Sequence, residues 1–256
     1  MPLYTYKLTI EYDGTLYHGW QKQPHQSTIQ AAIEKALLLI TGEAVSIVGA
    51  GRTDAGVHAL AQVAHFHLTR SKEPHKLLAG INALLPQDIS IRKLERVDSS
   101  FHARFGATRK TYCYFLDNGP TRSPHLRHTA WHIKTPINMS HMRRAASYLI
   151  GKRDFSSLIA ADHDAKSRIL DLQEVRITKK KEQIVFTLVA SRFLKYMVRN
   201  IVGLLVEVGT GRRRPSEMIP ILEAMDRRCA GRTAPAHGLF LMKVDYDNDT
   251  PPVTGV

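Results

Sequence analysis

The chain has 256 residues, enough for one large domain or two small ones with a full core. It carries 36 Lys and Arg against 23 Asp and Glu, a formal charge of +13, which points to a polyanionic partner, most commonly nucleic acid. Its two cysteines, Cys113 and Cys229, show no CxxC or finger spacing, so neither structural zinc nor a disulfide scaffold is expected, and a reducing cytoplasm fits. No run approaches the ~18 apolar residues of a membrane span, and the N-terminus lacks the apolar core of a secretion signal.

Tyr4 to Tyr12 alternates as a half-buried strand, and Asp13-Gly14 turns. Ser27-Thr-Ile-Gln30 reads as a capping box that opens a helix with Ile29, Ile33, Ala36, Leu37 and Ile40 on one face, closed by Gly42. Strands are expected over 45–50 and 62–68. A second helix starts at Pro74 and stops at Pro86, with Leu77, Leu78, Ile81, Leu84 and Leu85 inward, and a further strand covers 89–97. The order β-α-β-β-α-β is that of a ferredoxin-like half: an antiparallel sheet with helices on one face.

The second half repeats the order loosely. A strand is expected over 109–116, a helix over 138–150, and a hairpin of 172–180 and 183–192 around the lysine turn. Helices follow over 193–208 and 215–228, and a closing strand over 238–244. The fold class is therefore α+β: two pseudo-symmetric ferredoxin-like (RRM-like) halves, residues 1–105 and 106–256, with antiparallel sheets and a central cleft. The last ten residues, 247–256, form a polar tail. Basic clusters at Arg143-Arg144, Lys179 to Lys181, Arg212 to Arg214 and Arg227-Arg228 are spread along the chain, as a wide footprint would require.

The most specific segment is Gly51-Arg-Thr-Asp54-Ala-Gly-Val-His58-Ala59. It puts one aspartate in a glycine-bracketed turn between two strands, two residues after Arg52. Loops on rigid scaffolds are where chemistry usually sits, and an arginine can hold a carboxylate or phosphate in its fork. A connector turn in which Asp54 bonds only its own loop would use the same residue types. The expected helix over 193–208 is apolar on most sides, yet it holds Arg199. A buried guanidinium must find a carboxylate or line a cleft, and a purely structural ion pair would satisfy it equally. In Thr108-Arg-Lys-Thr-Tyr112-Cys-Tyr114, alternation puts Tyr112 and Tyr114 on one strand face, where ordinary core packing of both rings is the competing reading.

Taken together, these segments resemble the TruA-type tRNA pseudouridine synthases. Tyr12-Asp13-Gly14, Gly19-Trp20-Gln21, Phe101-His-Ala-Arg-Phe105, Asp154-Phe-Ser-Ser157 and Ala234-Pro235 with Gly238-Leu239 match in the same order over nearly the whole chain. The weakest stretch of the resemblance is 159–166, which shows no motif of the family. The resemblance implies the pseudouridine synthase fold and isomerisation of uridine at positions 38, 39 and 40 of the tRNA anticodon stem–loop. It implies a cytoplasmic homodimer that binds tRNA, with no membrane association, cofactor or metal. It implies Asp54 as nucleophile, attacking either C1′ of the ribose or C6 of the base. It further implies Arg199 as its ion-pair partner, Tyr112 stacked on the target base with a part in proton transfer, and Arg52, His58 and Arg168 as substrate contacts. His65 and His67 share a strand face, but no third metal ligand accompanies them. Neither a dinucleotide fingerprint nor a GxSxG elbow is present.

Overall fold

A computed structural model describes residues 3–161 and 167–247. In chain order the regular elements are β1 (Tyr4–Tyr12), α1 (Ile29–Thr41), β2 (Val48–Gly49), β3 (His58–Leu68), α2 (Pro74–Leu84) and β4 (Ile89–Val97). They continue with β5 (Ala107–Asp117), β6 (Trp131–His132), α3 (Met139–Ser147), β7 (Gly151–Asp154), β8 (Ile169–Lys180) and β9 (Gln183–Ala190). The chain ends with α4 (Met197–Gly209), α5 (Met218–Glu223) and β10 (Leu239–Tyr246). The elements are mixed α and β and the pairings are mostly antiparallel, the α+β class expected from the sequence.

Two compact units form. Of the described residues, the first takes those up to Thr108 together with those from Leu241 on, and the second those within Arg109–Phe240. The expected split near residue 106 treats the halves as contiguous, whereas the closing strand returns to the first unit. There it flanks β3, and its end is tied by Thr108 Oγ1 donating to Asp245 O at 3.2 Å and Tyr246 Oη to Ala103 O at 2.8 Å.

In the first unit β1 lies between β4 and β3, antiparallel to both. Tyr6, Leu8 and Ile10 on β1 and Ala64, Phe66 and Leu68 on β3 are fully buried, as period-2 alternation requires. Against them packs α1 through Ile29, Ile33 and Leu37. Its N-cap is Thr28, whose side chain accepts from Ala31 N at 3.3 Å, one residue after the expected Ser27. Helix α2 begins with Pro74 at its first position, and of the five residues expected inward only Leu77 and Ile81 are buried, Leu85 being the C-cap. Strand β2 is cut to two residues, paired with β3 at Val48↔His65.

In the second unit the strand order is β5-β9-β8-β7, all antiparallel, and β6 lies parallel to the end of β5. Here β9 sits between β5 and β8. Tyr114, Leu116, Phe186 and Leu188 face one core with α4, which is buried along nearly its whole length. Two expected helices are shorter than their apolar patterns. Tyr196 takes a left-handed φ of 63°, so α4 starts at Met197 and not at Phe193. Met225, at φ 48°, ends α5 and separates it from a short 3-10 turn at Arg227–Ala230. Among the described residues no helix is long and apolar enough to cross a membrane.

His65 is buried on β3 and accepts a hydrogen bond at Nδ1 from Ala103 N at 3.1 Å. Burial, with His102 and His67 close by, lowers its pKa to about 4. The folded state therefore binds fewer protons than the unfolded state between about 6.5 and 4, and this contribution to stability is lost as pH falls through that window. Urea unfolding at pH 7, 5.5 and 4 is expected to show a smaller pH-dependent loss for His65→Gln than for the wild-type chain; equal losses would rule His65 out as the source.

Candidate active site

Asp54 sits in the loop between β2 and β3. The base of the loop is closed by Ala50 N donating to Val63 O at 2.7 Å and Gln62 Nε2 donating to Gly51 O at 2.8 Å. Its tip is closed by Val57 N donating to Asp54 O at 3.1 Å. Asp54 is half-buried, Thr53 is buried and Arg52 is exposed.

The segment from Tyr12 to Trp20 grips this loop on both sides of the aspartate. Before it, the Tyr12 hydroxyl and Thr53 Oγ1 share a buried hydrogen bond of 2.8 Å, and Trp20 N donates to Thr53 O at 3.1 Å. Burial pushes the Tyr12 phenol up, so the hydroxyl keeps its proton. After Asp54, Gly56 N donates to Tyr17 O at 3.3 Å. Gly14 lies so close to Val57 that any β-carbon there would overlap the Val57 carbonyl, which is why Asp13-Gly14 cannot be an arbitrary turn.

His58 follows the loop and is only 2% exposed. Its Nδ1 receives the Gly14 N–H at 3.1 Å and stands 3.1 Å from an Asp13 carboxylate oxygen. These contacts tie β3 to the same N-terminal segment.

In the second unit Tyr112 lies on β5, 6% exposed, with its ring edge-on to Phe193 at 5.1 Å. Lys110, 8% exposed, shares its strand face. The alternation that selects Tyr112 and Tyr114 also selects Lys110, and the sequence reading passed over it. Burial holds the Tyr114 phenol up against the nearby positive charges of Arg199 and Arg232, and its hydroxyl donates to Pro235 O at 2.9 Å.

Arg199 occupies the first turn of α4. Its Nε donates to Ala234 O at 2.8 Å, Ala234 N donates back to Arg199 O at 3.1 Å, and its guanidinium lies 5.0 Å from the Tyr196 ring centre. The segment 231–235 is thus pressed on the helix, and a β-carbon on Gly203 would overlap the Arg232 carbonyl. Arg227 fixes the segment: it donates to Gly231 O at 2.8 Å, Asn200 Oδ1 at 3.0 Å and Thr233 Oγ1 at 2.8 Å. Burial lowers the Arg227 pKa, with Glu207 opposing. Asn200 lies in the family-like segment Met197-Val-Arg-Asn200, whereas Thr233 carries no local pattern that the sequence could have flagged. Other cluster members also bond internally: Arg213 pairs with Glu207 at 2.7 Å and Arg228 with Asp226 at 2.7 Å.

Arg168 is exposed at the rim of a cavity of about 650 Å³ that Ser156, Asp226 and Arg227 also line. Residues 162–166 of the unmatched segment lie outside the described residues, as do 248–256 of the tail. Among the described residues no group of three His, Cys, Asp or Glu is placed to hold a metal ion.

A family model described as tRNA pseudouridine synthase matches residues 8–106 and 145–247. The chain belongs to the tRNA pseudouridine synthase family. It is 44% identical over 241 residues to tRNA pseudouridine synthase A of Acetivibrio thermocellus, covering 94% of this chain and 98% of that one. It is also 44% identical over 239 residues to tRNA pseudouridine synthase A of a Thermoanaerobacter species, covering 93% and 98%. A solved dye-decolorizing protein from V. cholerae aligns with a TM-score of only 0.21 at 10% identity, which carries no weight. As a member of this family the chain is an isomerase that converts tRNA uridine to pseudouridine.

If the Tyr12–Thr53 bond positions the synthase's aspartate loop, Tyr12→Phe should lower kcat about 2- to 10-fold, the scale of one lost hydrogen bond, and leave KM for tRNA unchanged. Thr53→Val in the same background should cost little more. Additive losses in that double-mutant cycle would show that the two groups act separately.

Proposed function

We propose that the chain acts on uridines at positions 38, 39 and 40 of the tRNA anticodon stem–loop, as a cytoplasmic homodimer, with Asp54 as the nucleophile. The observation that carries this reading is the half-buried Asp54 in a loop anchored on both sides, at Thr53 and at Gly56. The anchors fix the backbone that presents the carboxylate, the condition for attack from a defined direction.

The reaction rearranges one nucleoside. The N1–C1′ bond breaks, the base turns, and C5 bonds to C1′; the proton on C5 leaves and N1 gains one. Atoms and electrons balance within uridine and water, so the reading calls on no cofactor. Asp54 attacks C1′ or C6. By resemblance, Arg199 is its ion partner and keeps it ionised and oriented. Tyr112 stacks on the target base, and such stacking, about 1–3 kcal/mol, offsets part of the few kcal/mol needed to flip it out. Arg52, exposed two residues before the nucleophile, guides or replaces the flipped base, and Arg168 meets the RNA. The formal charge of +13 supplies the positive surface that a tRNA backbone needs.

Tritium release from 5-tritiated uridine in unmodified tRNA tests this directly. Wild type should release tritium and label positions 38–40, while Asp54→Ala should bind tRNA with unchanged affinity and release none. In the same assay Arg199→Leu should lose most of the turnover. Turnover by Asp54→Ala would remove Asp54 as nucleophile. Abasic RNA in place of a retained C-linked nucleoside would make the chain a hydrolase, and tight binding without release by wild type would make it a binding protein.

A further inference from the structure

The turn that leads into β5 presents an aromatic side chain to solvent in a way that packing alone does not explain. Phe105 is 78% exposed, the most exposed large apolar side chain among the described residues. Its ring is not loose. One face rests on His102, with centroids 4.4 Å apart and planes 31° apart, and His102 rests in turn on the buried His65 at 4.7 Å. The backbone below is pinned as well: Arg104 N and Phe105 N both donate to His102 Nδ1, at 3.2 and 3.1 Å, and Gly106 N donates to His102 O at 2.9 Å.

Cations alternate with these rings. The Arg104 guanidinium lies 5.6 Å from the Phe105 centroid, and Lys7 Nζ lies 5.4 Å from Phe101 and 4.8 Å from Tyr246. Arg104 is exposed and makes no ion pair among the described residues. A fixed, largely exposed ring, beside an exposed guanidinium able to meet a phosphate, is what a single-stranded base and its backbone require. A protein partner would gain from the ring but not from the unpaired cation, in a chain already at +13.

We propose that Phe105 is a stacking platform for an unpaired base of the tRNA, with Arg104 taking the adjacent phosphate. This rests on tRNA being the substrate, but not on Asp54 being the nucleophile. Because the turn is already ordered, little conformational entropy is lost when the base docks.

The test is tRNA affinity as a function of salt for the full chain, with unmodified tRNA. Phe105→Ala should weaken binding about 5- to 150-fold, the loss of one base–aromatic stack, with the salt slope unchanged because no charge is removed. Phe105→Trp should bind at least as well as wild type. Arg104→Ala should reduce the slope by about 0.7 to 0.9, one phosphate contact. Thermal melting should not move for Phe105→Ala, since the exposed ring buries little. Wild-type affinity for Phe105→Ala would overturn the proposal. So would a change of oligomeric state in light scattering, which would make the face a contact with a second copy of the chain. Failure of wild type to bind tRNA at all would instead strike at the substrate, and Asp54→Ala turnover is read in a separate assay.

Discussion

The hydrogen bond between the Tyr12 hydroxyl and Thr53 Oγ1, 2.8 Å and fully buried, is the constraint on which the candidate site depends. A loop of this kind would otherwise belong to the mobile part of the structure. A carboxylate nucleophile cannot tolerate that, because displacement by about 1 Å can reduce a rate by a hundredfold. The solution here is to spend the end of β1 and the turn after it on the loop. Tyr12 and Trp20 hold Thr53, Tyr17 holds Gly56, and the missing β-carbon of Gly14 lets Val57 approach. The two most recognisable stretches of the first half, around Asp13-Gly14 and around Asp54, are thus two sides of one contact.

The second unit solves a different problem, that of keeping guanidinium groups beside an apolar helix. An unpaired buried charge is expensive. Arg199 and Arg227 instead meet oxygens of one segment: Ala234 O for Arg199, and Gly231 O and Thr233 Oγ1 for Arg227, with Asn200 on α4 completing the set. Gly203 makes this possible by admitting the Arg232 carbonyl against the helix. Arg227 is therefore committed to the fold, and of its cluster mate Arg228 the charge is matched by Asp226. A run of basic residues in the sequence does not by itself count surface charge available to RNA.

Much of this was legible from the sequence because burial follows period. Alternation placed β1, β5 and β9, and the 3.6-residue spacing placed α1 and α4, since both are set by which face meets the core. Failures came where backbone angles or long-range pairing overrode local pattern. The apolar pattern from Phe193 runs straight through Tyr196, yet its left-handed φ delays α4 to Met197. Met225 does the same to the expected helix over 215–228. Residues 45–50 read as a strand but pair only at Val48–Gly49. The return of β10 to β3 is a contact across most of the chain, which no local signal reports. At the site, the aspartate loop was legible as a motif, but what holds it was not: Tyr12-Asp13-Gly14 gives no local sign that the Tyr12 hydroxyl reaches Thr53 or that Gly14 admits Val57.

The central claim is that the loop fixes where the Asp54 carboxylate stands, not merely that a carboxylate is present. Asp54→Glu separates the two, because it keeps the charge and moves it by one methylene. Single-turnover tritium release and tRNA affinity should be measured on this variant. The account predicts unchanged affinity and a rate lower by about a hundredfold or more; a rate near that of wild type would contradict it.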